Sequence, residues 1–160
     1  TMEFVDKPEL LRRLQNGFQQ FNALLERLTP EQKLEPNVVG VWSVKDLLAH
    51  FIAHEQRALD EIHHALRDEP YHFAHECNDT FNEGAVLAYR AQPYADVYAA
   101  WSRSVERVLA EVAQLADADF DPAGRVVQAL DDTIDGALAN NTYEHWAEHG
   151  AQVEAWLEKQ

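Results

Sequence analysis

The sequence has one cysteine, few basic residues and no long hydrophobic run, and each shortage excludes a class of protein. Because Cys77 is the only cysteine among 160 residues, no disulfide can form within the chain. No apolar run reaches the roughly 18 residues that a membrane-spanning helix requires. Charged residues occur throughout the first twenty positions, so we expect no secretory signal peptide and a cytoplasmic protein.

The charge balance is strongly acidic. Lysine and arginine number 13 against 28 aspartates and glutamates, for a net charge of −15. Such a surface repels phosphate groups on average, so we expect no nucleic-acid partner and no anionic membrane partner. An apolar content of 46% is ordinary for a globular protein and leads us to expect a single domain over residues 1–160.

Hydrophobic periodicity predicts four long helices and no strands. The predicted helices open at Asp6, at Ser43, after Pro93 and near Asp131 or Asp132, and the last runs almost to the C-terminus. About 25 residues join the second helix to the third and include a predicted short helix over residues 79–89. This long connection favours an all-α four-helix bundle with a crossover between the second and third helices.

Two pairs of histidines lie on apolar faces of these helices. His145 and His149 are one helical turn apart on the fourth helix, and His50 and His54 have the same spacing on the second. One interpretation is that these are partly buried histidines, each hydrogen-bonded to a neighbour. The other is that three of the imidazoles bind a divalent metal ion across the bundle and leave one coordination position open.

Two motifs resemble the DinB/YfiT-like metalloenzyme superfamily. WSVKDLLAHFIAHE (residues 42–55) is similar to its second-helix signature, and NTYEHWAEHGAQVEAW (residues 141–156) is similar to its fourth-helix signature. FNALLERLTPEQ and NDTFNEGAV also resemble relatives, including the colibactin-resistance (ClbS/DfsB-like) branch. The resemblance implies a four-helix bundle, often homodimeric, with a zinc or nickel ion bound by His50, His145 and His149.

The resemblance also implies a choice of activities. Some members are thiol S-transferases or isomerases that use a low-molecular-weight thiol, whereas the colibactin-resistance branch opens a cyclopropane electrophile and is not clearly metal-dependent. We therefore expect a metal-dependent thiol S-transferase or hydrolase acting on a small electrophilic molecule. The alternative is a non-catalytic small-molecule-binding or self-protection protein without a functional metal.

His54 departs from the pattern of the superfamily. It is interpreted either as a fourth ligand that closes a structural site, or as a catalytic group that moves protons on the open side. Glu55, Glu144 and Glu148 are candidates for orienting a ligand imidazole. For the substrate pocket, the aromatic residues predicted as walls are Trp42, Tyr143 and Trp146.

Overall fold

The structure, a computed structural model, describes residues 3–71 and 78–160, with Asn78 described by its backbone alone. Cys77 lies outside these residues. Within them the chain forms helices and no strand. In chain order the elements are α1 (Lys7–Glu26), α2 (Val44–Leu66), α3 (Asn78–Tyr89), α4 (Tyr94–Gln114), a 3₁₀ turn (Asp117–Phe120), α5 (Arg125–Leu130), α6 (Ile134–Ala139) and α7 (Tyr143–Glu158).

The four long helices α1, α2, α4 and α7 form the predicted all-α bundle. α2 packs against α4 and α1 packs against α7, while α1 also meets α4. The seam between α2 and α7 is the loosest of the four. The short helix α3 lies within the crossover between α2 and α4 and packs onto α2, as the sequence predicts.

Local signals set where the helices begin. Ser43 and Asp46 form a capping box at the start of α2, with the Asp46 N–H donating to Ser43 Oγ at 3.1 Å and the Ser43 N–H donating to Asp46 Oδ2 at 3.0 Å. Asp6 caps α1 by accepting the Glu9 N–H at 3.0 Å. The capping box fixes the start of α2 and thereby the register in which His50 enters the bundle.

The predicted start of the fourth helix near Asp131 or Asp132 is wrong. Asp131 adopts a left-handed conformation (φ 53°) that ends α5, and Thr133 caps the separate helix α6. A second break follows, because the Thr142 hydroxyl donates to the Leu138 carbonyl at 2.7 Å and Thr142 is not helical (φ −132°, ψ −112°). Helix α7 therefore starts at Tyr143, and residues 115–142 form a second long connection.

The core is apolar and aromatic. One face of α4 is buried, and its core residues are Val97, Trp101, Val105, Val108 and Val112. Gly17 lets α1 approach α7 closely, because a Cβ there would lie 2.8 Å from Tyr143 Cβ. Among the described residues no helix has the length and apolar character needed to cross a membrane.

Candidate metal centre

Three histidine side chains meet between α2 and α7. His50 Nε2 lies 2.8 Å from His145 Nε2, which lies 3.1 Å from His149 Nε2. The candidate ligand atoms of the three rings all lie within 4.8 Å of one another. Among the histidine, cysteine and carboxylate side chains of residues 3–71 and 78–160, these three histidines form the group whose geometry could hold a metal ion.

Aromatic packing orients these rings. The Phe51 ring lies 5.3 Å from the His145 ring and 5.9 Å from the His149 ring, measured between centroids. The Trp42 ring lies 4.8 Å from the His50 ring on the other side. His50 is only 3% exposed, so its imidazole has little freedom to turn away from the cluster.

Burial keeps the central imidazoles neutral. Loss of hydration, followed by the nearby imidazoles of His54 and His149, lowers the pKa of His50 to about 3. Burial, followed by the neighbouring imidazoles, lowers the pKa of His145 to about 2. A neutral imidazole retains a lone pair for a metal ion, so both rings are in the form that binds metal at neutral pH.

The hydrogen bonds around the cluster are compatible with metal binding. His149 Nδ1 donates to Gln152 Oε1 at 2.7 Å, which places the proton on Nδ1 and leaves the Nε2 lone pair directed at His145. The Nδ1 atoms of His50 and His145 are buried and have no hydrogen-bond partner among the described residues. The Nε2 atom of His145 lies within hydrogen-bond distance of the Nε2 atoms of both His50 and His149. We conclude that the donor set fits a divalent metal ion bound through three Nε2 atoms.

His54 lies beside the three rings but faces other partners. Its ring centroid is 4.4 Å from that of His50 and 4.6 Å from that of His145. Nδ1 is 2.9 Å from Asn141 Oδ1, and Nε2 is 3.1 Å from Asn82 Oδ1. Both ring nitrogens lie within hydrogen-bond distance of amide side chains, so neither nitrogen is directed at the centre of the cluster.

The cluster opens into a cleft of about 390 Å³. Besides the three histidines, its lining residues are Trp42, His54, Arg57, Asn82 and Glu148. A cleft of this volume lies within the range of small-molecule sites, which is roughly 300–1,000 Å³.

Of the three aromatic residues predicted to wall the pocket, Trp42 lines this cleft and the other two do not. Tyr143 lies on the α1 side of α7, where its hydroxyl donates to Asp135 Oδ1 at 2.5 Å. Trp146 is 1% exposed and points into the core. A residue next to His145 on a helix is rotated by about 100° from it, which explains why Trp146 faces elsewhere.

The carboxylates predicted to orient a ligand imidazole do not do so in the structure. Glu55 is fully buried and accepts the indole N–H groups of Trp101 and Trp146, at 3.0 and 2.9 Å. Glu144 and Glu148 are exposed, and Glu148 lines the cleft.

The amide side chains around the cluster were not among the predicted site residues. Gln152 follows His149 by three residues, and this spacing puts both on one face of α7. Asn82 and Asn141 reach His54 from α3 and from the turn before α7, which are distant from His54 along the chain.

The comparisons with known proteins agree with this fold. The sequence model of the DinB superfamily matches residues 13–155, which include the whole histidine cluster. No curated protein matches the chain significantly. The crystal structure of the colibactin self-resistance protein ClbS in complex with a double-stranded DNA is similar, with a TM-score of 0.76 and 15% identity over 95% of each chain. An uncharacterised protein from Escherichia coli UTI89 has a TM-score of 0.74 and 16% identity over 99% of this chain and 95% of the other.

The expectation that nucleic acid is excluded as a partner is wrong. A protein with the same fold, ClbS, was crystallised with double-stranded DNA. The net charge of −15 is a sum over the whole chain and does not describe the potential at one face. An acidic composition therefore does not exclude this class of partner.

Proposed function

Because the chain belongs to the DinB superfamily, we propose that it binds a divalent metal ion through His50, His145 and His149 and acts on a small electrophilic molecule. The observation that carries the proposal is the convergence of three imidazole nitrogens at the wall of an open cleft. Zinc and nickel are the proposed metals, since both accept imidazole ligands. A bound ion would supply Lewis-acid chemistry and lower the pKa of a coordinated water or thiol.

The reaction is proposed to be thiol S-transfer or hydrolysis. In the first, the sulfur of a low-molecular-weight thiol forms a bond to an electrophilic carbon of the substrate as the bond from that carbon to its leaving group breaks, and His54 takes the thiol proton and returns it to the departing group. In the second, the oxygen of a water molecule forms the new bond, the bond to the leaving group breaks, and His54 carries the proton from the water to that group. His54 is proposed for this role because it lines the cleft beside the triad with its nitrogens outside the ligand set, and the nitrogen that accepts the proton would give up its contact with an asparagine amide. The indole of Trp42 supplies an apolar wall for the substrate.

Metal content is the first test. Untagged protein and its His145→Ala variant are analysed by inductively coupled plasma mass spectrometry after incubation with zinc or nickel. His63→Ala is the matched control, because His63 also lies on α2 but bonds Glu111 in a separate groove. We expect about one metal per chain in the wild type and the control, and little in His145→Ala. A wild type without metal refutes the proposal.

Activity is tested next on the metal-loaded protein. Thiols paired with small electrophiles are screened for loss of the free thiol, and esters or amides are screened for hydrolysis. His54→Ala is expected to retain metal and lose most turnover. Full turnover in this variant would remove His54 from the mechanism.

A second candidate function is metal-independent self-protection, in which the cleft binds or consumes a reactive small molecule. It is favoured by the structural similarity to ClbS, whose name states that it is a colibactin self-resistance protein. Under this alternative, chelated protein and His145→Ala bind or consume the compound as well as the wild type. Because ClbS was crystallised with DNA, the same samples are titrated with duplex DNA at two salt concentrations.

A further inference from the structure

A buried carboxyl group joins three helices next to the histidine cluster. Glu55 on α2 is 0% exposed. One of its oxygens, Oε2, accepts the indole N–H of Trp101 on α4 at 3.0 Å and that of Trp146 on α7 at 2.9 Å. The other oxygen, Oε1, is buried and has no hydrogen-bond partner among residues 3–71 and 78–160.

Glu55 and Trp146 both lie close to the candidate ligands along the chain. Trp146 directly follows His145 along α7, and Glu55 lies just over one helical turn beyond His50 along α2. The two helices meet along the loosest seam of the bundle, where Phe51 of α2 packs against the rings of His145 and His149 of α7. The 2.9 Å hydrogen bond from Trp146 to Glu55 adds a directional contact that constrains the register of the two helices.

We propose that Glu55 is a positioning residue for the metal centre, which ties α7 to α2 through the Trp146 indole so that His145 and His149 meet His50. This inference rests on the proposed metal binding. The hydrogen bonds that Glu55 accepts come from the two indoles, and Glu55 does not line the cleft, so it acts through the helices that carry the ligands. The Trp101 indole contributes a second bond to the same oxygen, but α4 carries none of the three histidines.

Burial supports the neutral form of this carboxyl group, since it raises the pKa of Glu55 to about 8. A glutamine has nearly the same shape, is uncharged and keeps an amide oxygen that accepts both indole N–H groups. Leucine has a similar volume but no acceptor and leaves both indoles without a partner. Glu55→Gln is therefore the conservative variant and Glu55→Leu the disruptive one.

The test is titration of metal-free protein with cobalt(II), followed by visible absorption, which reports both affinity and ligand geometry. We expect Glu55→Leu to bind cobalt about 10- to 100-fold more weakly, as is usual when a group that orients metal ligands is lost, and to change the absorption bands. Glu55→Gln is expected to retain both affinity and bands. Trp146→Phe is expected to behave like Glu55→Leu, whereas Trp101→Phe, which removes the other bond to the same oxygen, is expected to retain the spectrum.

Two measurements separate positioning from general loss of stability. Far-UV circular dichroism establishes that each variant is folded at the temperature of the titration. Ile62→Ala, which removes packing from α2 two turns away beside a different groove, is expected to lower stability and leave the cobalt spectrum unchanged.

The outcomes distinguish this inference from the proposed function. A wild type that binds no cobalt refutes the metal centre and the positioning role with it. A wild type that binds cobalt, with Glu55→Leu and Trp146→Phe giving the same affinity and bands, overturns the positioning role alone. Equal weakening by Trp101→Phe and Trp146→Phe also overturns it, because the effect would then come from loss of core packing.

Discussion

Replacing Glu55 with glutamine is expected to change how the free energy of unfolding depends on pH. In the folded protein, burial raises the pKa of Glu55 from 4.5 to about 8. The carboxyl group therefore binds its proton more tightly in the folded chain than in the unfolded chain. Its contribution to stability is complete below pH 4.5 and is lost as the pH rises toward 8.

The size of the effect follows from the shift. Each pH unit within this window weakens the wild type by about 1.4 kcal/mol for one proton, so the interval from pH 6.5 to pH 8 corresponds to roughly 2 kcal/mol. His50 and His145 act in the opposite direction, because burial lowers their pKa values from 6.5 to about 3 and about 2. The change in stability caused by His50 and His145 is largely complete near pH 6.5. The change in stability above pH 6.5 therefore reports mainly on Glu55.

The assay is urea unfolding of metal-free protein at several pH values between 6.5 and 8, followed by far-UV circular dichroism. The wild type is expected to lose roughly 2 kcal/mol relative to Glu55→Gln over this interval, since other titrating groups cancel in the difference. Parallel curves for the two proteins would refute the reasoning, because they would mean that Glu55 is already ionised at pH 6.5 in the folded state.

Three further predictions concern other contacts. His54→Gln is expected to keep the cobalt spectrum of the wild type, since both nitrogens of His54 face amides, and a shifted spectrum would identify His54 as a ligand. Gln152→Ala removes the acceptor for His149 Nδ1 and is expected to weaken cobalt binding about 10-fold. The control Gln160→Ala, just beyond the end of α7, is expected to bind cobalt as the wild type does. Equal affinities of the two variants would show that the Gln152 contact is dispensable. Gly17→Ala is expected to lower the free energy of unfolding by about 1–3 kcal/mol, because its Cβ would meet Tyr143. The control Gly84→Ala, with open space around it, is expected to be neutral or stabilising. Urea unfolding of both variants tests this, and an undiminished stability of Gly17→Ala would contradict the close approach of α1 and α7.

The stripes and caps that the sequence predicts are local properties, and the structure confirms them. Ser43 and Asp46 are three residues apart, so their capping box depends on one turn of chain and can be read without tertiary information. The break before Tyr143 is local as well, because the Thr142 hydroxyl donates to the Leu138 carbonyl four residues earlier. Hydrophobic periodicity did not indicate it, because periodicity records which residues are apolar and not which side chains bond the backbone.

The spacing of the candidate ligands is also local, and their surroundings are not. His145 and His149 lie on one face of α7 because residues four apart on a helix are neighbours. Whether His50 meets them depends on how α2 and α7 pack, and the structure brings the three Nε2 atoms together. Glu55 shows the limit most clearly: as a nearby carboxylate it was a candidate for orienting a ligand imidazole, but its actual partners are indoles on α4 and α7.

The sequence by itself determined the helices, most of their starting points and the pairing of histidines within each helix, because these depend on residues within about one or two turns of each other. Only the tertiary structure decided which faces oppose each other. It placed Asn82 and Asn141 at His54, turned Tyr143 and Trp146 away from the cleft and buried Glu55 between two tryptophans. Those contacts join residues far apart in the chain, and helix packing, which no local pattern encodes, brings them together.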